Sequence, residues 1–303
     1  DNVESRGLGD VYKRQPNYPS ANIGKTETSG IDVNFGYQTD QSKDVSFATN
    51  ISFTTTDNLV KEIANGDKYI WGAGYGIPYN NLVRFQEGES PGIFWGYIAD
   101  GIFQNQSEID SHATQPNAQP GDIRFVDVNG DGVVNADDRT KIGDPFSDFQ
   151  IGWDFNLNVY NFDLSVRTYG TFGNDIFRGY ERNLNYTNKP VSVLARWTGE
   201  GTSNFEPRAT FIDSNNNVRP STRYVEDGSY FKIKNVQVGY NFNVSNSKSL
   251  DAVRLYLQGN NLMTFTDYTG YDPEMSYGVL DTGIDRGNYP SARTVSVGLN
   301  VKF

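Results

Sequence analysis

From Arg293 to Phe303 the chain alternates without a break: Val295, Val297, Leu299, Val301 and Phe303 fall on one side, and Thr294, Ser296, Gly298, Asn300 and Lys302 on the other. A period of two means an extended strand with one apolar and one wet face. Its eleven residues are about twice the ~5–6 of an ordinary soluble strand. They match the ~9–11 that a tilted strand needs to cross a bilayer.

The pattern recurs. Ile151, Trp153, Phe155, Leu157 and Val159 alternate with Gly152, Asp154, Asn156 and Asn158; after a Tyr160-Asn161 turn come Phe162, Leu164 and Val166. Ile31, Val33, Phe35 and Tyr37 lead through Gln41–Asp44 into Val45, Phe47, Thr49, Ile51 and Phe53. Val253, Leu255 and Leu257 repeat it. One strand changes phase: Phe231 and Ile233 are odd-numbered, Val236, Val238, Tyr240 and Phe242 even. One extra residue near Lys234–Asn235 keeps all six on one face, which predicts a β-bulge there. The last strand stops on Phe303, as the C-terminal sorting strand of outer-membrane barrels does.

Connections constrain the fold further. Short ones fall near 40–44, 87–92, 160–161 and 243–252, and long polar ones near 57–81, 104–147, 172–230 and 264–292. Strict alternation of short and long is how outer-membrane barrels separate periplasmic turns from extracellular loops. The expected fold is all-β: an antiparallel transmembrane β-barrel segment of roughly nine or ten strands with long extracellular loops, open at both edges until further strands close it. The rival fold is a secreted β-sandwich, an adhesin or glycan-binding module.

Composition fits this reading. With 19 Tyr, 19 Phe and 4 Trp, the chain has material for the aromatic girdles of a barrel. Its net charge of −11 argues against nucleic acid, whose phosphates need clustered Lys and Arg. There is no cysteine, hence no disulfide, thiol nucleophile or thiolate metal site. His112 is the only histidine, which leaves a His-based triad or zinc site almost no material; no enzyme is expected. The segment 1–15, ending Gly9-Asp10-Val11-Tyr12-Lys13-Arg14-Gln15, has neither strand alternation nor the apolar core of a signal peptide. It is set aside as a non-native or disordered leader, and 16–303 as the barrel part.

Asp127-Val128-Asn129-Gly130-Asp131-Gly132-Val133-Val134-Asn135-Ala136-Asp137-Asp138 carries explicit chemistry. Oxygen-bearing side chains at loop positions 1, 3, 5, 9 and 12 with Gly at 6 match a calcium loop. Asp127, Asn129, Asp131, the Val133 carbonyl, Asn135 and Asp138 are the expected ligands. Asp at position 12 and the lack of a preceding helix resemble a dockerin loop more than an EF-hand. The competing reading is an Asx/Gly turn held by its own backbone bonds. Loop aromatics are the expected ligand contacts: Trp71, Tyr75 and Tyr79 in one long connection, Tyr268, Tyr271 and Tyr277 in another.

Several short segments resemble one family in their order and spacing over residues 17–303. They are Ala21-Asn22-Ile23-Gly24-Lys25, Gly92-Ile93-Phe94-Trp95-Gly96-Tyr97 with Asp100-Gly101-Ile102-Phe103, and Gly121-Asp122-Ile123 running into the 127–138 loop. Arg196-Trp197-Thr198, Glu226-Asp227-Gly228-Ser229-Tyr230-Phe231-Lys232-Ile233-Lys234-Asn235, Gln258-Gly259-Asn260-Asn261-Leu262 and Gly270-Tyr271-Asp272-Pro273-Glu274 follow. Together they resemble the C-terminal barrel part of the SusC/RagA family of TonB-dependent outer-membrane transporters of Bacteroidetes. That resemblance implies a 22-stranded plugged barrel in a Gram-negative outer membrane. It also implies energy coupling to the TonB complex through a more N-terminal region, and a SusD-like surface lipoprotein on the outer mouth. Its cargo would be oligosaccharides or peptides.

Overall fold

In the computed structural model, residues 24–72, 81–180, 190–244, 249–275, 278 and 281–303 are described. The 1–15 leader lies outside them. In chain order the strands are β1 (Gly24–Gln38), β2 (Val45–Ile63), β3 (Tyr69–Trp71), β4 (Val83–Gln86), β5 (Ile93–Gly96), β6 (Ala99–Ile102), β7 (Ile123–Phe125) and β8 (Thr140–Gly143). They continue as β9 (Phe149–Val159), β10 (Phe162–Phe172), β11 (Asp175–Arg178), β12 (Val225–Asp227), β13 (Tyr230–Phe242), β14 (Ala252–Thr266), β15 (Ile284–Asp285) and β16 (Thr294–Lys302). No helix among the described residues is long and apolar enough to cross a membrane.

The seven long strands form one antiparallel sheet in the order β1-β2-β9-β10-β13-β14-β16. Its register turns the sequence alternation into two surfaces. One row across the sheet reads Phe47, Leu157, Leu164, Val238, Leu257, Val297; the next reads Val45, Val159, Phe162, Tyr240, Leu255, Leu299. Between them, on the opposite face, Ser46, Asn158, Asp163, Gly239, Tyr256 and Gly298 align. Aromatic rings close the apolar face at both ends. Phe53, Phe149 and Phe172 stack near the long connections at centroid spacings of 5.6 and 4.9 Å, and Phe162, Tyr240 and Phe242 meet near the short turns at 4.7 and 4.9 Å. The eleven residues of β9 span about 33 Å at ~3.3 Å per residue. At the ~45° tilt of barrel strands this is about 24 Å of height, the thickness of the apolar band of an outer-membrane barrel.

The phase change in β13 resolves as expected. Ile233 pairs with Thr168 and Asn235 with Arg167, so Lys234 is the extra residue. Phe231 and Ile233 thereby stay on the apolar side, opposite Phe265 and Met263 of β14. The β-sandwich alternative would need a second sheet over this face. Among the described residues nothing covers it, and Val238, Leu257 and Val297 are 46%, 51% and 73% exposed.

Two expectations change. The sheet has seven strands among the described residues, where the sequence pattern leads to roughly nine or ten. The 87–92 connection does not join two wall strands: it links β4 to β5, which sit in a separate sheet of order β3-β4-β5-β8. The expected loops 57–81 and 104–147 are therefore parts of one excursion from β2 to β9, and β2 itself runs on to Ile63. Parity survives this correction. Short turns follow β1, β9 and β13, and long excursions follow β2, β10 and β14, so all the large loops gather at one end of the sheet.

Those loops build their own core. Leu82, Val83 and Phe94 from the first excursion pack with Phe177 from the second and Ile284 from the third. Strand pairing repeats the union, since β11 lies between β12 and β15. A polar clamp adds to it. Asp122, fully buried, receives Arg208 Nε at 2.7 Å, Asn217 Nδ2 at 3.1 Å and the Gln119 N–H at 2.9 Å.

Candidate functional site

At the loop end of the sheet, β3, β4 and β5 present an aromatic and cationic surface. Arg84 faces Trp71 across the β3–β4 ladder. Its guanidinium lies between the rings of Tyr69 and Trp95, 3.7 Å from each centroid, and 5.7 Å from Trp71. Arg139 stands 5.0 Å from the Trp71 ring, and its Nη2 donates to the carbonyls of Asn81 and of Trp95, the latter at 2.8 Å. Desolvation lowers the pKa of Arg84 against a smaller opposing influence of Tyr69. Arg139 is lowered by the same cause, with Arg84 adding to it. Tyr69 is 40% exposed, so solvent reaches the stack.

Of the sequence-expected ligand contacts, Trp71 belongs to this cluster. Tyr75, Tyr79 and Tyr277 lie outside the described residues. Tyr271 is exposed on the third excursion. Tyr268 is a correction: it is buried, and its hydroxyl donates to Asp285 Oδ2 at 2.6 Å. Burial and the neighbouring Asp285 carboxylate push its pKa up. It pins β15 to the base of the loop and offers no surface to a ligand. Arg84, Trp95 and Arg139 were not expected; the aromatic-x-aromatic pair Tyr69 and Trp71, followed by an alternating strand with Arg84, was the signal available.

The 127–138 turn is closed by its own side chains. Asp127 accepts the N–H of Gly130 at 2.7 Å and of Gly132 at 2.8 Å, Asn129 accepts Asp131, and Asp131 accepts Val133. Gly130 and Gly132 take φ of 75° and 86°, the left-handed backbone that aims these N–H groups inward. Asn135 and Asp138 form a capping box around a short 3₁₀ turn. Burial works against it, but the backbone N–H groups hold the Asp127 carboxyl below its usual range. Asp138 is engaged by the backbone. It is fully buried, with Oδ1 accepting from Val128 and Asn129 and Oδ2 from Asn135. Among the described residues no group of three or more His, Cys, Asp and Glu is placed to hold a metal.

A third cluster joins wall to loop. Lys232, buried on β13, reaches Asp272 at 3.0 Å and Glu274 at 2.7 Å, and Glu274 also takes Lys234. His112, at the C-terminus of the short helix α1 (Gln106–Ser111), meets Ala113 O through its ring Nδ1 at 2.9 Å and packs edge-on to Phe103.

No family model matches the chain. It is 32% identical to TonB-dependent receptor P3 of Formosa agariphila over 93% of its length, and 30% identical to receptor P26 of the same organism. It is 26% identical to the TonB-dependent receptor SusC of Bacteroides thetaiotaomicron, again over 93% of the chain. The fold aligns with the structure of the RagAB peptide transporter at a TM-score of 0.72 and 18% identity, over 93% of this chain and 29% of that one. A seven-stranded sheet with an apolar face, a polar face and large loops at one end is the architecture of a β-barrel wall, and over 93% of its length the chain is similar to TonB-dependent receptors. Within that class the chain is similar to SusC in sequence and to the RagAB transporter in fold. It spans about three-tenths of the length of the curated relatives it matches.

Proposed function

We propose that the chain supplies wall and outer loops to an outer-membrane importer, driven by TonB, that takes up oligosaccharides or peptides with a SusD-like lipoprotein at its outer mouth. The observation that carries this is the two-faced sheet: an apolar belt of bilayer height outside, and a polar lining that includes Asp154, Asp163, Arg167 and Arg254 inside. Such a lining suits a solute path and has no use in a packed core. The names of the relatives support import. The assay is uptake of labelled glycan and peptide pools by cells with and without the gene. A protonophore serves as the energy control. Loss of one pool on deletion, matched by the protonophore, identifies the cargo; unchanged uptake of both refutes the reading.

Calcium belongs to the same proposal in a reduced form. The oxygens of Asp127, Asn129, Asp131, Asn135 and the Val133 carbonyl keep lone pairs for an ion, as does Asp138 Oδ2, whereas Asp138 Oδ1 already takes two backbone N–H groups. With one oxygen of the closing carboxylate already bonded to the backbone, affinity should fall to the weak end known for extracellular sites, with Kd on the order of 10⁻⁴–10⁻³ M. Calorimetric titration of the purified receptor tests it; no heat up to 10⁻² M refutes it.

A further inference from the structure

Arg84 and Arg139 bring two positive charges into one small sheet, and no ion pair engages either among the described residues. Desolvation, not a carboxylate, dominates the surroundings of both. The Nε of each is buried without a hydrogen-bond partner. Arg139 at least spends Nη2 on two backbone carbonyls. The Arg84 guanidinium makes no hydrogen bond to any described residue. A guanidinium clamped between two rings has both faces covered, so only its in-plane N–H edge remains for a ligand. That edge is a rigid fork whose geometry matches the two oxygens of a carboxylate. The rings hold it in place before anything binds, so little side-chain entropy is lost on binding.

We propose that Arg84, held by Tyr69 and Trp95 and supported by Arg139, is a receptor for a single carboxylate group on the solute. The site suits one carboxylate better than a polyanion. Only one fork is open, and a chain of net charge −11 repels densely charged ligands at long range. Trp71 and Tyr69, set edge to face at 5.3 Å, flank the fork with apolar surface for the carbon skeleton that carries the carboxylate. A peptide C-terminus and a uronic acid residue both present this chemistry.

The inference rests on the import reading only for its purpose; binding is measurable without transport. The full-length receptor in detergent, carrying no energy source, is titrated by intrinsic tryptophan fluorescence. The probes are trialanine against its C-terminal amide, and digalacturonate against its methyl ester. At least one free acid should bind about tenfold or more tightly than its neutral partner, the usual worth of a charge-assisted hydrogen bond. A preference for trialanine identifies peptide termini, and one for digalacturonate identifies acidic glycans. Arg84→Gln should abolish the preference. Arg84→Lys, which keeps the charge but loses the fork, should retain only part of it. Equal binding of acid and neutral probes by the unaltered receptor overturns the proposal, whatever the variants do, and so does an undiminished preference in Arg84→Gln. Loss of the preference with energised uptake intact removes this site alone. A clear preference with no energised uptake removes the import reading instead.

Discussion

Replacing Lys232 with Met tests how the third excursion is fastened to the wall. Lys232 is 1% exposed, with Nζ 3.0 and 3.3 Å from the Asp272 oxygens and 2.7 Å from Glu274. Removing one member of a buried ionic cluster costs ~3–5 kcal/mol, because it strands the opposite charge away from water. Here the lower end applies. Glu274 keeps Lys234, and Asp272 keeps the N–H groups of Glu274 and Ser291. A cost of about 3 kcal/mol multiplies the local opening equilibrium by about 150. Opening of this kind is read by hydrogen exchange, so amides of 268–275 and 284–291 should lose protection by that factor in the full-length receptor. Amides of 122–125, held by Asp122, should not change. Adding Asp272→Asn to Lys232→Met should recover at least about tenfold, since the stranded charge is then gone. A change below threefold in the single variant, or an equal rise at 122–125, would show that the cluster does not fasten the loop.

Acidification should release the same segment. Burial opposes ionisation of Asp272 and Glu274, but the Ser291 N–H, Lys232 and Lys234 outweigh it and hold both carboxyls below their ordinary 3.8 and 4.5. Groups with depressed folded pKa values contribute stability above the ordinary values and lose it as pH falls through the depressed ones. Protection of 268–275, corrected for intrinsic exchange, should stay flat from neutral pH down to about 5 and fall below 3.8; a loss beginning at pH 6 would contradict this. On the wall, Leu257→Arg should cost ~2–4 kcal/mol at the bilayer midplane and deplete folded receptor in heat-modifiability gels. Gln258→Arg, one residue along on the polar face, should assemble normally; equal loss in both would refute the assignment of faces. Asp138→Ala should leave three backbone N–H groups without their acceptor, at ~1–3 kcal/mol for each that stays buried. Calorimetry in calcium-free buffer should show the 127–138 loop destabilised, and a calcium-induced stabilisation of the unaltered receptor that the variant loses would place Asp138 in the metal shell.

The wall was legible because a strand between lipid and water must write its two environments at alternate positions. Lys234 was legible for the same reason, since the phase slip from Ile233 to Val236 has no other cheap solution. What alternation cannot say is which solvent lies beyond the apolar side. Val83-Arg84-Phe85-Gln86 alternates as a wall strand does, yet Val83 faces the loop core with Phe94 and Leu82, not lipid. Only its length of four residues separates it from β9, and that is why the 87–92 turn was counted with the wall. Tyr268 was illegible for a different reason: its polar neighbours Asp267 and Thr269 suggest exposure, while its burial is decided by Asp285, far along the chain. Asp138 shows the limit in chemical form. A calcium ligand and a backbone cap demand the same carboxylate at the same place in a turn, so spacing alone cannot choose between them. The N–H groups of Val128, Asn129 and Asn135 all point at Asp138, an arrangement that the spacing of the turn gives no sign of.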